Sequence, residues 1–339
     1  MKKIFTLIVA FIAITQMLNA QASHGAMTFV GKSNYYVTMM GSITGETTVA
    51  ADTIVYMGAD FTLPSMKYND MVIPSFSIQG TIFTGGYAGV TWEDQTFTST
   101  TTDASDQEKT ITGSSLRGTF THTAGIYKLQ LEITFTYGNM PFPITYSIEG
   151  YYVKDYSGTN KVTVGGQYGP YSAQVTHKLR TYVEDGETKA DVEIPGYTLP
   201  QTIMGNLTLG SYTITGLTYD ESKGGYYKDY ATDGLTIHIT AEQNGTTTMD
   251  SDYELATSGS ENILVQITDG KAKITNNFIP GAMPFPITAV MDQNATTGIT
   301  QISTLDTHIQ TPTYNLHGHR LSHSSQGLVI RNGKKYIAR

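Results

Sequence analysis

Apolar and polar side chains alternate along most of this chain. Across residues 128–137, Leu129, Leu131, Ile133, Phe135 and Tyr137 fall on one face, and Gln130, Glu132, Thr134 and Thr136 fall on the other. That is the period-two pattern of a strand with one side on a core and the other in water. Residues 36–39, 235–240 and 263–268 repeat it in shorter form. Between such runs stand Asp185-Gly186, Asn244-Gly245, Asp269-Gly270 and Asn332-Gly333, pairs that adopt positive backbone angles at low cost and so suit two-residue hairpins. Beyond the first 22 residues no stretch keeps a helical period over three turns. The pattern predicts an all-β chain of sequential antiparallel strands. The polar segment 96–112 is expected to be a long loop or a short helical turn, and 294–312, rich in Thr and Gln, to be a linker.

A repeat sits on top of this alternation. Met140-Pro-Phe-Pro-Ile-Thr145 returns as Met283-Pro-Phe-Pro-Ile-Thr288. Phe61-Thr-Leu-Pro64 and Ser75-Phe-Ser-Ile-Gln-Gly80 pair with Tyr197-Thr-Leu-Pro200 and Ser211-Tyr-Thr-Ile-Thr-Gly216 at a common offset of 136. A period of about 140 residues implies whole tandem domains, because solenoid and propeller units run at roughly 20–50. The expected division is a leader at 1–22, one domain at 33–157, a second at 158–293, the linker at 294–312 and a tail at 313–339, with the domains meeting near Gly158. In the hexapeptide the prolines stand two apart, so an extended backbone would lack two donors toward the same neighbour. The motif therefore belongs at the start of a strand, at a bulge or at an open seam, with pairing resuming at Ile144 and Ile287.

Composition adds an address. Lys2 and Lys3, an apolar run from Ile4 to Ile14 and the small residues Ala20 and Ala22 have the layout of a secretory signal peptide, and the run is too short to span a bilayer comfortably. The chain is expected to be exported to the periplasm, the cell surface or the medium, with no transmembrane segment after cleavage. With no cysteine it forms no disulfide, has no thiolate ligand and is not a lipoprotein. Setting Lys2 and Lys3 aside leaves 19 basic against 29 acidic residues. Arg320, Arg331, Lys334, Lys335 and Arg339 lie in the tail, which holds no acid, so the body is strongly acidic and nucleic acid is excluded as a partner.

The Phe/Tyr-Thr-Leu-Pro element, the Ser-Phe/Tyr-Ser/Thr-Ile-x-Gly strand and the late Met-Pro-Phe-Pro-Ile string resemble the calycin-like domain of secreted proteins from gut and oral Bacteroidetes, over roughly residues 33–293. The resemblance implies two tandem antiparallel calycin/lipocalin-like β-barrels of about eight strands each, of the kind that can hold one small ligand. The lipocalin Gly-x-Trp signature is missing, since the sole tryptophan, Trp92, lies in mid-module. A tubular lipid-binding fold is the structural alternative, although no long amphipathic helix is visible. Tyr314-Asn-Leu-His-Gly-His-Arg-Leu321 and the strands from Gly327 to Ile337 are similar to the C-terminal sorting tails of the same bacteria. This second likeness implies a small β tail recognised by type IX outer-membrane secretion machinery.

Candidate chemistry is sparse. His317, His319 and His323 lie close in sequence, but an alternating strand gives that spacing without a metal. His122, His177 and His238 stand apart from any acidic or histidine cluster, and Asp250-Ser-Asp252 lacks the glycine and glutamate of a calcium loop. Nucleophile-elbow, zinc-protease and phosphate-loop motifs are absent. The tyrosine pairs 35–36, 151–152 and 226–227 can supply sugar-stacking rings, or can place one ring in the core and one outside. The expectation is a non-catalytic secreted or surface binding protein with no cofactor and no metal. Its ligand, a small apolar molecule or a glycan, would lie in a barrel interior lined by Leu129, Leu131, Ile133 and Phe135. A structural or adhesive module with filled barrels is the alternative.

Overall fold

A computed structural model describes residues 26–37, 41–51, 59–68, 70–86, 89–255 and 261–294, together with the tail strands at 313–314, 320–321, 327–331 and 334–338. The leader, the linker, the tail histidines and Asn332-Gly333 lie outside the described residues. All described elements are strands, and every pairing is antiparallel. No helix among them is long and apolar enough to cross a membrane, a statement that leaves strands out of account.

The N-terminal half contains β1 (Met27–Val37), β2 (Gly41–Ala51), β3 (Ala59–Leu63), the small hairpin β4 (Met66–Tyr68) and β5 (Met71–Ile73), then β6 (Phe76–Thr81), β7 (Thr84–Gly86), β8 (Gly89–Thr102), β9 (Glu108–Thr123), β10 (Ile126–Tyr137) and β11 (Ile144–Val164). Its sheet runs β6-β3-β2-β1-β11-β10-β9-β8-β7. The C-terminal half continues with β12 (Tyr168–Glu184), β13 (Glu187–Ile194), β14 (Tyr197–Thr202), β15 (Gly205–Leu209), β16 (Tyr212–Asp220), β17 (Gly225–Asp229), β18 (Thr236–Gln243), β19 (Thr246–Glu254), β20 (Asn262–Thr268), β21 (Lys271–Phe278) and β22 (Ile287–Asp292). Here β12-β13-β16-β17-β20-β21-β22-β11 close into an eight-stranded barrel through the β11–β12 ladder, while β14-β15-β18-β19 form a separate sheet that shares the same core. The tail forms its own unit, in which β23 (Thr313–Tyr314), β24 (Arg320–Leu321), β25 (Gly327–Arg331) and β26 (Lys334–Ala338) pair in the order β24-β23-β25-β26.

The turns follow the sequence signals. Asp185-Gly186, Asn244-Gly245 and Asp269-Gly270 all have positive φ and join β12 to β13, β18 to β19 and β20 to β21. The segment 96–112 is neither loop nor helical turn. It is the outer part of a β8–β9 ribbon, closed by a turn in which the Asp103 carboxylate accepts the backbone N–H groups of Ser105 and Gln107. Its Thr-rich alternation is strand propensity, which the acidic turn residues obscured.

The two halves share several devices. Each hexapeptide is a turn whose strand begins at Ile144 or Ile287, opposite Phe135 or Phe278. Those phenylalanines pack edge-on against Phe76 at 5.3 Å and Tyr212 at 6.3 Å. In each half an aspartate sits where strand register slips, and its Oδ1 accepts the N–H of a glycine with positive φ: Asp60 from Gly80 at 2.8 Å, and Asp191 from Gly216 at 2.9 Å. This register overturns one reading of the repeat. Leu63 lies opposite Phe76 and Ile194 opposite Tyr212, so Phe61-Thr-Leu-Pro64 corresponds to Val192-Glu-Ile-Pro195. Tyr197-Thr-Leu-Pro200 instead pairs with β15, in a hairpin separate from the barrel wall.

The halves differ at one seam. In the C-terminal barrel β16 and β17 are joined by a ladder, whereas in the N-terminal half β6 and β8 are not. Side chains bridge that gap. Ser99 Oγ donates to the Ser77 carbonyl at 2.5 Å and Thr101 Oγ1 to the Ser75 carbonyl at 2.9 Å, while the Gln95 amide both accepts from and donates to the Ile82 backbone, at 2.9 and 2.7 Å. The expected pair of closed barrels is therefore one laddered barrel and one curved sheet whose ends are pinned by side chains.

Candidate functional site

Strand alternation that buries one face of the N-terminal sheet delivers a polar outer face on β1, β11, β10, β9 and β8. Residues facing each other across these strands form rungs. One reads Lys32, Glu149, Gln130, Thr119, Thr91, and the next reads Asn34, Ser147, Glu132, Arg117. A third, Tyr36, Thr145, Thr134, Ser115, follows along the strands. An open trough of about 710 Å³ crosses the first two rungs.

Its groups are held laterally. Lys128 Nζ reaches Glu149 Oε1 at 2.8 Å, and Gln130 Nε2 donates to Glu149 Oε2 at 2.8 Å. Thr119 Oγ1 donates to Gln130 Oε1 at 3.3 Å. The Lys128 hydrogen bond, helped by Gln130, holds the Glu149 carboxyl below its usual value against partial burial. Arg117 gives Nε and Nη2 to a single Glu132 oxygen at 2.9 and 2.5 Å, so the fork retains donors and the carboxylate retains an acceptor. Ser115 Oγ donates to Asp94. The result is a surface of adjacent donors and acceptors in which Lys32, Lys128 and Arg117 stand against Glu93, Asp94, Glu132 and Glu149, leaving acid in slight excess. Tyr36, 42% exposed, lies two residues beyond Asn34 on β1, and Tyr151 lies two beyond Glu149 on β11. Their neighbours Tyr35 and Tyr152 pack against the core, as alternation requires.

The C-terminal half supplies an internal comparison. Counting from Ile144 and Ile287, the positions of Glu149, Gln130, Ser147 and Glu132 are held there by Asp292, Lys273, Val290 and Thr275, and that of Arg117 by Leu264. The same backbone thus tolerates a more apolar face, and the N-terminal rungs are not a requirement of the fold.

The expected ligand-lining residues lie on the inward face of β10, opposite that of Gln130 and Glu132. Leu129, Leu131, Ile133 and Phe135 are 0–2% exposed and packed among other core side chains, and of the four only Leu131 borders the trough. The C-terminal barrel interior is similarly occupied. Tyr230 donates to Asn276 Oδ1 at 2.7 Å and shares the Asn277 carbonyl, and Asn276 Nδ2 donates to the Tyr212 hydroxyl at 2.6 Å. Burial pushes the Tyr212 hydroxyl up to about 12 and those of Tyr197 and Tyr230 higher still.

The histidines divide. His122 stacks on Tyr127 at 4.0 Å, and His177 is buried. His238 is not isolated, because Nδ1 lies 2.7 Å from Asp252 and Nε2 3.2 Å from Asp250. Among the described residues no group of three or more such side chains is arranged to hold a metal ion. Sequence reasoning placed Gln130 and Glu132 on the water-facing side, but the partners that make them a site come from four other strands.

Residues 154–292 match the calycin-like beta-barrel domain. The matched span coincides with the closed barrel. A crystal structure of a candidate outer membrane protein from Bacteroides fragilis NCTC 9343 is similar at 14% identity and a TM-score of 0.25, over 78% of this chain and 94% of that one. No curated protein matches this chain.

Proposed function

We propose that this chain is an exported, non-catalytic binding protein that holds a neutral glycan on the outer trough of its N-terminal half. Sugar hydroxyls donate and accept at once, and the trough presents donors and acceptors side by side at fixed spacing, flanked by tyrosine rings. An apolar ligand would leave these groups without partners. A polyanion would meet Glu132 and Glu149. The single observation that carries the reading is the contrast between the halves, in which one backbone bears this set of side chains in one copy and lacks it in the other. Export rests on residues 1–22 and the sorting-like tail, and the two halves are proposed to be copies of one ancestral unit.

The filled interiors favour a surface adhesion role over a barrel that encloses an apolar molecule. The test is a screen of the mature chain against neutral, acidic and sulfated glycans, with calorimetry on whatever binds. Neutral glycans should bind with little salt dependence. Arg117→Ala combined with Gln130→Ala should weaken binding about tenfold or more, since each lost hydrogen bond is worth about 1 kcal/mol, while leaving the melting temperature nearly unchanged. Retention of acidic glycans alone, or affinity indifferent to these substitutions, would overturn the reading.

A further inference from the structure

The polar face does not stop at the third rung. Beyond it the β9 register slips at Ser114, which keeps the outward side outward, and the next rung is Thr98, Thr112, Thr136, followed by Thr100 opposite Thr110. Thr96, Thr98, Thr100, Thr110 and Thr112 are all exposed, so the strip between the third rung and the turn offers hydroxyls and methyls, and its far end is marked by exposed Glu108 opposite Thr102. It lies on the ribbon that the C-terminal half lacks, for β17 and β20 have only 5 and 7 residues where β8 and β9 have 14 and 16.

The strip is held from behind. Ile111 is fully buried, Ser99 and Thr101 are bonded to β6 carbonyls, and the turn is fixed by Asp103, which also lies 3.4 Å from Lys109. A ligand laid on it would therefore order little of the protein. From Thr119 to Thr110 the face runs nine residues along β9, about 30 Å at strand rise, the length of several sugar units.

We infer that the ligand is a linear, uncharged polysaccharide chain that runs from the trough along the threonine strip, several units being bound at once. This rests on the trough reading and specifies its substrate as a polymer rather than a single sugar. The hydroxyl rungs repeat along the strands as a polymer's own hydroxyls repeat, and the rungs from Thr98 to Thr110 carry no charge while Glu108 at the far end disfavours an anionic chain.

Calorimetry of the mature chain with cello-, laminari- and manno-oligosaccharides, from disaccharide to octasaccharide, tests it. Affinity for the best series should rise at least about tenfold with length. Thr98→Val with Thr112→Val, which keeps shape and strand propensity, should abolish that rise and leave disaccharide affinity unchanged. Arg117→Ala should weaken every length. Affinity independent of length, or a length gain that survives the double valine variant, overturns the strip while the trough stands. If no oligosaccharide of any length binds, the trough reading falls and the strip with it.

Discussion

His177 sits on the inner face of β12 between Val175 and Leu179, 3% exposed, and neither ring nitrogen has a well-formed hydrogen bond. Burial pushes the imidazole from 6.5 down to about 4, and the nearby Glu193 backbone offsets only a little of that. The folded value is depressed, so the unfolded chain binds the proton first as pH falls. Stability is then unaffected above about 6.5 and is lost between about 6.5 and 4, by up to about 3 kcal/mol for this group. Denaturant midpoints at pH 7 and pH 4 should diverge in the wild type and converge in His177→Leu. Equal divergence in both proteins would refute the assignment to His177. The outcome at His238 shows what a linear reading misses. From the Asn244-Gly245 turn a regular register would set His238 opposite Ser251, but the slip between Ala241 and Glu242 sets it opposite Asp252. The turn was visible in the sequence and the bulge was not. The tyrosine pairs were visible, because alternation alone decides which ring of each pair goes inside.

Elements reveal why one repeated string misled and another did not. The hexapeptides keep their place because their prolines cannot sit within a ladder, so the backbone itself fixes where pairing resumes. Phe/Tyr-Thr-Leu-Pro carries a single proline, which an edge strand such as β14 tolerates beside a register slip, so the string is not tied to one strand. The offset between the halves is 131 at Pro64 and Pro195 but 136 at Phe76 and Tyr212, so the intervening hairpin is five residues longer in the second half and brings the similar string into a different strand. The durable signature was the bulge aspartate with its glycine, which needs a pairing map to be seen. The two aspartates now do unequal work. Asp191 is buried and also holds Arg180 at 2.6 Å and the Tyr182 hydroxyl at 3.1 Å, an environment that raises the Tyr182 hydroxyl to about 12 through burial and the Asp191 charge. Asp191→Ala should therefore cost about 3–5 kcal/mol, because it strands a partly buried guanidinium, whereas Asp60→Ala should cost about 1. Chemical denaturation of the two variants checks this, and equal costs would show that the ion pair contributes nothing beyond the glycine contact.

At the scale of the whole molecule the decisive element is β11. Residues 144–153 pair with β1, and residues 153–164 pair with β12, so one continuous strand is wall to both halves and the handover falls at Val153, five residues before Gly158. Further ties cross the same region, for Arg180 Nη1 donates to the Val30 carbonyl and the Tyr151 hydroxyl to the Val183 carbonyl, both at 3.4 Å. If the first half melts, β11 loses β1 and β10 along its first ten residues, and the part that stays paired with β12 and β22 is left to fray from Val153. Independent unfolding would also break the side-chain ties of Arg180 and Tyr151 across the boundary and cut one continuous strand at Val153. The two halves should accordingly unfold as one unit. Probes for each are at hand. Trp92, the sole tryptophan, is buried beside Phe61 in the first core, and the Ile274 amide on β21 reports on the second barrel. Trp92 fluorescence and exchange-monitored protection at Ile274 should give the same denaturation midpoint. Phe135→Ala, a change of about 3–5 kcal/mol confined to the first core, should lower both midpoints together. A variant in which the tryptophan signal moves while Ile274 stays protected would show that β11 joins two domains without coupling them.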